Sequence, residues 1–288
     1  MVETRRQRVL LGLIGAPIAH SASPRMHEAA ASALGMRAHY QLIEVPGAGP
    51  DRLRTLLDGV RHLGFAGVNV TYPYKEAVMP FLDALSGDAR AVGAVNTVVV
   101  DHGRLVGHNT DASGFARALT RTFGPAPRGP VALVGAGGVG KAAAVALAQL
   151  GGVEIRLFDT DPAKARGLAA GLDGTASVRA CASLAEALDG AGGLVNGTPI
   201  GMLPNRDSPV PDALLRPDLW VADAVYSPLH TPLLRAAGRL GAPVMTGREL
   251  AIHQALDAFR LFTGREPPEA AMAEGFDAAL AAQAEEPH

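Results

Sequence analysis

Val131-Ala132-Leu133-Val134-Gly135-Ala136-Gly137-Gly138-Val139-Gly140-Lys141 is the stretch on which the fold class turns. Four apolar residues without alternation read as a buried strand, and a helical pattern runs on over 139–150. Between them G-x-G-x-x-G allows a tight turn, close backbone approach to a pyrophosphate and close helix packing, while the first N–H groups of the helix face the phosphates. Such a unit also needs an acidic residue at the end of the next strand, roughly 20 residues on, to accept hydrogen bonds from ribose hydroxyls. Residues 154–158 read as that strand, and Asp159 follows it. A carboxylate there accepts from a ribose diol and repels a 2′-phosphate, so NAD is expected over NADP. Lys164, early in the next helix, can lie near the same ribose and leaves NADP open. The same residues spell G-x-x-x-x-G-K, the opening of a nucleoside-triphosphatase phosphate loop, with Asp223 as its magnesium aspartate. That reading fails at its first metal ligand, because Ala142 stands where serine or threonine is required.

Outward from this stretch, short β-rich runs alternate with helical patterns of 10–15 residues almost throughout, the signature of βαβ units. Upstream, strands are expected over 9–14, 38–45, 66–71, 95–100 and 104–106, the last two as a hairpin. Helices are expected over 24–34, with Ser23 as N-cap and Pro24 behind it, over 51–62, from about Tyr74 with Lys75 at its start, and over 111–121. The stretch 123–130, rich in proline and glycine, has the composition of a linker. Downstream, strands near 178, 194–196, 220–223 and 244 follow the helix 161–170, and two helices, 247–262 and 268–282, end the chain before a frayed tail over 283–288. The fold class is therefore α/β, with two open-sheet domains, the second a Rossmann-type dinucleotide-binding domain.

The chain has 288 residues, of which 48% are hydrophobic and 19% charged, with a formal net charge of −2, so it carries no cationic footprint for nucleic acid or an anionic membrane surface. Its single cysteine, Cys181, forms neither an internal disulfide nor a cysteine zinc cluster and fits a reducing compartment, so the cytoplasm is expected. Arg5-Arg6-Gln7-Arg8 before an apolar run has the outline of a signal peptide, but Gly12, Gly15 and Pro17 break that run, which reads better as a strand. No membrane span and no membrane partner are expected. The nine histidines show no H-E-x-x-H or Cys/His spacing, so no metal is expected, and His20, His108 and His253 read as residues that order loops.

Polar residues gather at the strand ends of the first domain, where open α/β sheets bind ligands: Ser21, Ser23, Asn69, Thr71, Lys75, Asn96, Asn109, Thr110 and Asp111. Singly, each has a bland reading as a cap or turn residue. Together they suit a small, polyhydroxylated, anionic molecule. At this point seven motifs in order resemble the shikimate/quinate dehydrogenase family. They are Ile18-Ala-His-Ser-Ala-Ser-Pro24, Asn69-Val-Thr-Tyr-Pro-Tyr-Lys75, Gly93-Ala-Val-Asn-Thr97, Gly107-His-Asn-Thr-Asp111, the glycine loop, Asn196-Gly-Thr-Pro-Ile-Gly-Met202 and Ala251-Ile-His-Gln-Ala255. The resemblance implies a substrate-binding domain over 1–110, completed by helices over 248–288 that return to it, and a Rossmann NAD(P)-binding domain over 111–247. It implies Lys75 and Asp111 as the catalytic pair, Ser21 and Ser23 on the substrate carboxylate with Tyr226 nearby, and Thr71, Asn96 and Gln254 on ring hydroxyls. On the cofactor it implies Gly135, Ala136, Gly137, Gly138, Val139, Gly140, Asp159, Lys164 and Gly247, with Thr198, Pro199 and Ile200 towards the nicotinamide.

The resemblance also carries a departure. NADP-dependent members have an Asn-Arg-Thr-type sequence after the second cofactor strand, where this chain reads Phe158-Asp159-Thr160, like the NAD-preferring quinate/shikimate branch. Quinate-accepting members often replace the second serine with threonine, so Ser23 points towards shikimate. The expected reaction is interconversion of shikimate and 3-dehydroshikimate, with quinate or an aminated relative as the alternative substrate. A non-catalytic NAD-dependent sensor is the alternative from another class. Whether Lys75 serves as base towards the ketone or, protonated, as acid towards the alcohol is left open by the sequence, as is a homodimer.

Overall fold

The strand, glycine turn and helix around Gly135 form as read from the sequence, in a computed structural model that describes residues 7–125 and 129–285. The chain divides into two compact units, Met1–Thr110 with Gln254–His288 and Asp111–His253. The boundary falls one residue into the helix Thr110–Phe123, so the proline- and glycine-rich stretch 123–130 lies within the second unit and does not join the two. Residues 126–128 of that stretch are outside the described residues.

The first unit contains β1 (Arg8–Gly15), α1 (Ser23–Ala33), β2 (Arg37–Glu44), α2 (Pro50–His62), β3 (Phe65–Val70), β4 (Ala84–Leu85), α3 (Gly87–Val92), β5 (Thr97–Asp101) and β6 (Arg104–His108). Its sheet has the order β2-β1-β3-β5-β6-β4. The first three strands are parallel and β5 runs antiparallel to both β3 and β6, closing the expected hairpin. The apolar run weighed against a signal peptide is β1, paired on both sides and buried along most of its length, which explains its lack of alternation. Leu53, Leu57 and Val60 of α2 pack on this sheet at helical spacing, with Asp51 in the first turn and Arg61 and His62 in the last, as the helix dipole favours.

The second unit contains α4 (Thr110–Phe123), which starts at the boundary, then β7 (Val131–Val134), α5 (Gly138–Leu150), β8 (Glu154–Phe158), α6 (Pro162–Gly171), β9 (Ser177–Ala180), α7 (Leu184–Leu188), β10 (Gly193–Asn196), β11 (Trp220–Asp223), α8 (Pro232–Arg239) and β12 (Val244–Met245). All its strands are parallel, in the order β12-β11-β10-β7-β8-β9. This is the doubly wound order, which reverses direction between β7 and β10. α9 (Gly247–Thr263) passes from the second unit into the first, where α10 (Glu269–Glu285) packs on α1. Gly275 makes that packing close, since a Cβ there would stand 2.6 Å from the Arg25 carbonyl oxygen.

Several local expectations are corrected. Ser23 is not the N-cap of α1: Ala22 takes that position without a side-chain cap, and Ser23 N–H instead donates to Ser21 Oγ at 3.3 Å. No α-helix starts near Tyr74. Residues 75–78 form turns before a single 3₁₀ turn at Met79–Phe81, because Pro80 has no N–H to give and disfavours helical backbone at Met79. Lys75 therefore sits in a turn. Asp111 is the second residue of α4, inside its first turn and past the N-cap position. Gln283 belongs to α10 and donates to the His20 carbonyl at 2.6 Å, so the expected frayed tail is helical to Glu285, and 286–288 lie outside the described residues.

Candidate active site

In the second unit the strand order reverses between β7 and β10, and both strands end in loops that carry sequence-predicted residues. Gly135 has φ +96°, and a Cβ on it would come within 2.6 Å of Thr198 Cγ2. A Cβ on Gly140 would lie 2.0 Å from the Gly135 carbonyl oxygen. These two glycines are therefore required by packing within the protein. Gly137 differs: it is exposed at the N-terminus of α5, and nothing lies within 4 Å of where its Cβ would be. That open backbone at an uncapped helix start fits a pyrophosphate, as the motif demands.

Asp159 follows β8 and is tied to this loop. Its Oδ2 accepts from Ala136 N–H at 2.8 Å and its Oδ1 from Asp161 N–H at 2.8 Å. Each oxygen retains a lone pair for a ribose hydroxyl. Gly138 and Val139 are half-buried in the first turn of α5, and Lys164 is exposed on α6. Thr198 and Ile200 are half-buried and Pro199 is exposed in the loop after β10. Asn196 organises that loop: its Oδ1 accepts from Thr198 N–H at 3.0 Å and Thr198 Oγ1 at 2.7 Å, and its Nδ2 donates to the Ile200 carbonyl at 3.2 Å and to Asp223 Oδ1 at 2.9 Å. Tyr226 is half-buried just beyond β11, and burial raises its phenol pKa. Gly247 is buried at the start of α9, where a Cβ would stand 2.5 Å from the Val225 carbonyl oxygen, so this position needs glycine for close approach.

In the first unit, Asn96 is the centre of a buried cluster. Its Oδ1 accepts from Thr110 N–H at 2.8 Å and its Nδ2 donates to Thr110 Oγ1 at 2.9 Å. Thr110 Oγ1 in turn lies 3.5 Å from Gln254 Oε1 on α9. Behind Asn96, Asn69 Nδ2 donates to the Asn96 carbonyl at 3.1 Å and to Thr97 Oγ1 at 3.0 Å, and accepts at Oδ1 from the Tyr40 hydroxyl at 2.8 Å. Tyr40 had no assigned role in the sequence, since its partner is 29 residues away along the chain, and the pairing of Thr110 with Asn96, 14 residues away, was not read either. Thr71, Ser21 and Ser23 are half-buried, and the Thr71 carbonyl accepts from Tyr74 N–H at 2.9 Å. Lys75 is half-buried in the turn after Tyr74, its carbonyl accepting from Val95 N–H at 2.8 Å. Asp111 is buried and is the first residue of the second unit.

His20 is exposed, and His108 is half-buried, with burial lowering its pKa. His253 is buried on α9. Among the described residues no group of three His, Cys, Asp or Glu side chains is placed to hold a metal ion.

A doubly wound unit with a fitted dinucleotide cradle, preceded by an α/β unit rich in buried amides and hydroxyls, defines the class of two-domain nicotinamide-nucleotide proteins. Comparison with known proteins narrows the class. Residues 13–98 match the shikimate dehydrogenase substrate binding domain, and 247–274 match the shikimate 5′-dehydrogenase C-terminal domain. A shikimate dehydrogenase (NADP(+)) of Streptomyces avermitilis is 46% identical over 265 residues, covering 90% of this chain and 91% of that protein. A quinate/shikimate dehydrogenase (NAD(+)) of Corynebacterium efficiens is 45% identical over 267 residues, covering 90% and 94%. The solved quinate dehydrogenase from Corynebacterium glutamicum in complex with NAD superposes with a TM-score of 0.88 at 42% identity, covering 95% of this chain and all of that one. The chain belongs to the shikimate dehydrogenase family.

Proposed function

We propose that this protein is an NAD(P)-dependent dehydrogenase that interconverts shikimate and 3-dehydroshikimate and prefers NAD. The observation that carries the reading is the presence of an open nucleotide cradle, with Asp159 bonded to Ala136 N–H, together with the Asn96–Thr110–Gln254 cluster, buried at Asn96 and Thr110 and half-buried at Gln254, in the unit that contains the match over 13–98. The first unit is the substrate domain and the second the nucleotide domain. A bound nicotinamide supplies the hydride acceptor for oxidation of the ring carbon. Lys75 Nζ and the Asp111 carboxylate handle the proton of the reacting hydroxyl, taking it in the oxidising direction and returning it in the other. Asn96, Thr71 and Gln254 hold the ring hydroxyls, while Ser21 and Ser23, with Tyr226, hold the substrate carboxylate. The glycine loop and Asp159 bind the nucleotide, and 198–200 with Gly247 line its nicotinamide end.

Quinate is the second substrate to test, because relatives of near-equal similarity are named for both compounds. We place the enzyme in the cytoplasm; among the described residues no helix is long and apolar enough to cross a membrane. The test is a grid of initial rates, shikimate or quinate with NAD or NADP, following reduced nicotinamide. Turnover of shikimate with NAD above NADP is expected. Faster turnover with NADP overturns the Asp159 argument, a faster rate with quinate reverses the substrate order, and nucleotide binding without turnover in any combination makes the protein a sensor.

A further inference from the structure

Asp223 ends β11 and is fully buried, yet the proposed chemistry gives it no part. Burial alone pushes a carboxyl towards its neutral form, and Asp223 is pushed up to about 6 despite its hydrogen bonds. An acid kept in such a place costs stability relative to an apolar residue, unless its oxygens organise something else. They do. Oδ1 accepts from Asn196 Nδ2 at 2.9 Å and from Val225 N–H at 3.0 Å, and Oδ2 accepts from Thr231 Oγ1 at 2.7 Å.

Each donor leads to a different piece of backbone. Asn196 lies opposite Asp223 in the β10–β11 ladder, and its remaining hydrogen bonds go to Thr198 and Ile200. Val225 N–H opens the segment that carries Tyr226, and its carbonyl is the surface on which Gly247 packs. Thr231 caps α8, its Oγ1 accepting from Leu234 N–H at 3.2 Å. A carboxylate only accepts, and it is the side chain that can satisfy all three donors at once from a strand end. If Asn196 lost this partner, its amide could turn, and a turned amide would offer N–H groups to Thr198 N–H where it now offers an oxygen.

We infer that Asp223 is a positioning residue for nucleotide binding, setting the 198–200 loop through Asn196 and the start of the Tyr226 segment through Val225. The inference rests on the dinucleotide reading above. Asp223 itself is fully buried, so it is proposed to act through these partners and not by touching a ligand. The competing account is that it serves only to anchor α8 through Thr231.

Full-length protein carrying Asp223→Ala, Asp223→Leu, Asp223→Asn or Thr231→Val separates the two accounts by calorimetric titration with NAD and NADP, with folding checked by circular dichroism and Tm. In Asp223→Ala and Asp223→Leu, Kd for the preferred nucleotide should rise roughly tenfold, the scale of one buried hydrogen bond lost from a binding loop. The leucine keeps the branching at Cγ without the acceptors and the alanine removes bulk, so the prediction can be read from whichever of the two folds. Asp223→Asn, whose Oδ1 still accepts from Asn196 and Val225 while its amide donates to Thr231, should stay within about twofold of the unsubstituted Kd. Thr231→Val should lower Tm and leave Kd unchanged, since it touches only the Oδ2 side. Unchanged Kd in the Ala and Leu variants overturns the inference, and so does a Kd in Thr231→Val that weakens along with its Tm. If the unsubstituted chain binds neither nucleotide, the dinucleotide reading falls and this inference falls with it; if it binds and only the Asp223 effect is missing, the reading survives alone.

Discussion

The Asp223 carboxyl makes folding stability depend on pH in an unusual direction. Its pKa is 3.8 as an ordinary carboxyl and about 6 in the folded protein, because burial outweighs three hydrogen bonds from neutral donors. The folded state therefore holds a proton that the unfolded chain releases over this interval, and stability falls as pH rises. The contribution is fully present below pH 3.8 and is lost as pH passes through about 6. At 1.36 kcal/mol for each pH unit, the whole interval amounts to about 3 kcal/mol, of which about 1 kcal/mol falls between pH 5 and pH 7. Asp223→Asn is the perturbation that removes the titration and keeps the shape. Urea unfolding can be followed at pH 5, 6, 7 and 8 by the fluorescence of Trp220, the only tryptophan in the chain, which stands on the same strand. Relative to the asparagine variant, the unsubstituted protein should lose about 1 kcal/mol between pH 5 and pH 7 and nothing further above pH 7. Parallel profiles for the two proteins would mean that Asp223 ionises as it does in the unfolded chain, and would falsify the burial argument.

Three further outcomes are expected. Asp159→Asn removes the charge that repels a 2′-phosphate, and the ratio of kcat/KM with NAD to that with NADP should fall about tenfold, an unchanged ratio showing that selectivity lies elsewhere. Lys75→Ala should lower kcat by about 10²–10⁴-fold with KM little changed, and a change confined to KM would remove Lys75 from the chemistry. Gly140→Ala places a methyl 2.0 Å from a backbone oxygen that cannot swing aside, so the protein should lose about 1–3 kcal/mol of stability along with its nucleotide binding, whereas a normal Tm would show that the turn can open.

What the sequence made legible was largely what is local. Strands β7, β8 and β11 match their expected ranges because each is a short run, mostly apolar, closed by a glycine, an acid or a turn. The start of α6 was read to within one residue: Asp161, expected inside the helix, is its N-cap, its Oδ1 accepting from Ala163 N–H at 3.0 Å directly before Pro162. The helix expected from Tyr74 failed for a reason also present in the sequence, Pro80, whose effect on the preceding residue outweighs the periodicity around it. β4 has two residues and too little sequence for a pattern, and it exists because Ala84 and Leu85 pair with β6. Burial of Asp223 had a faint signal, an acid closing an otherwise apolar strand. Its role had none, since Asn196 is 27 residues away and Thr231 eight.

The same distinction separates the two acids of the nucleotide domain. Asp159 could be singled out from sequence because its place is set by a fixed distance from the glycine loop, and the structure adds that the carboxylate is held by Ala136 and Asp161 N–H groups. A group already held by the backbone would lose little freedom when a ribose arrived, so the selectivity proposed for it would come at low entropic cost. Asp223, in the role inferred for it, would act at one remove, on a loop that would otherwise have to be ordered by the ligand. A nucleotide binding to this unit would thus meet one acid that recognises it and another that has already arranged the backbone around it. The first should alter which nucleotide is chosen, and the second how tightly either is held.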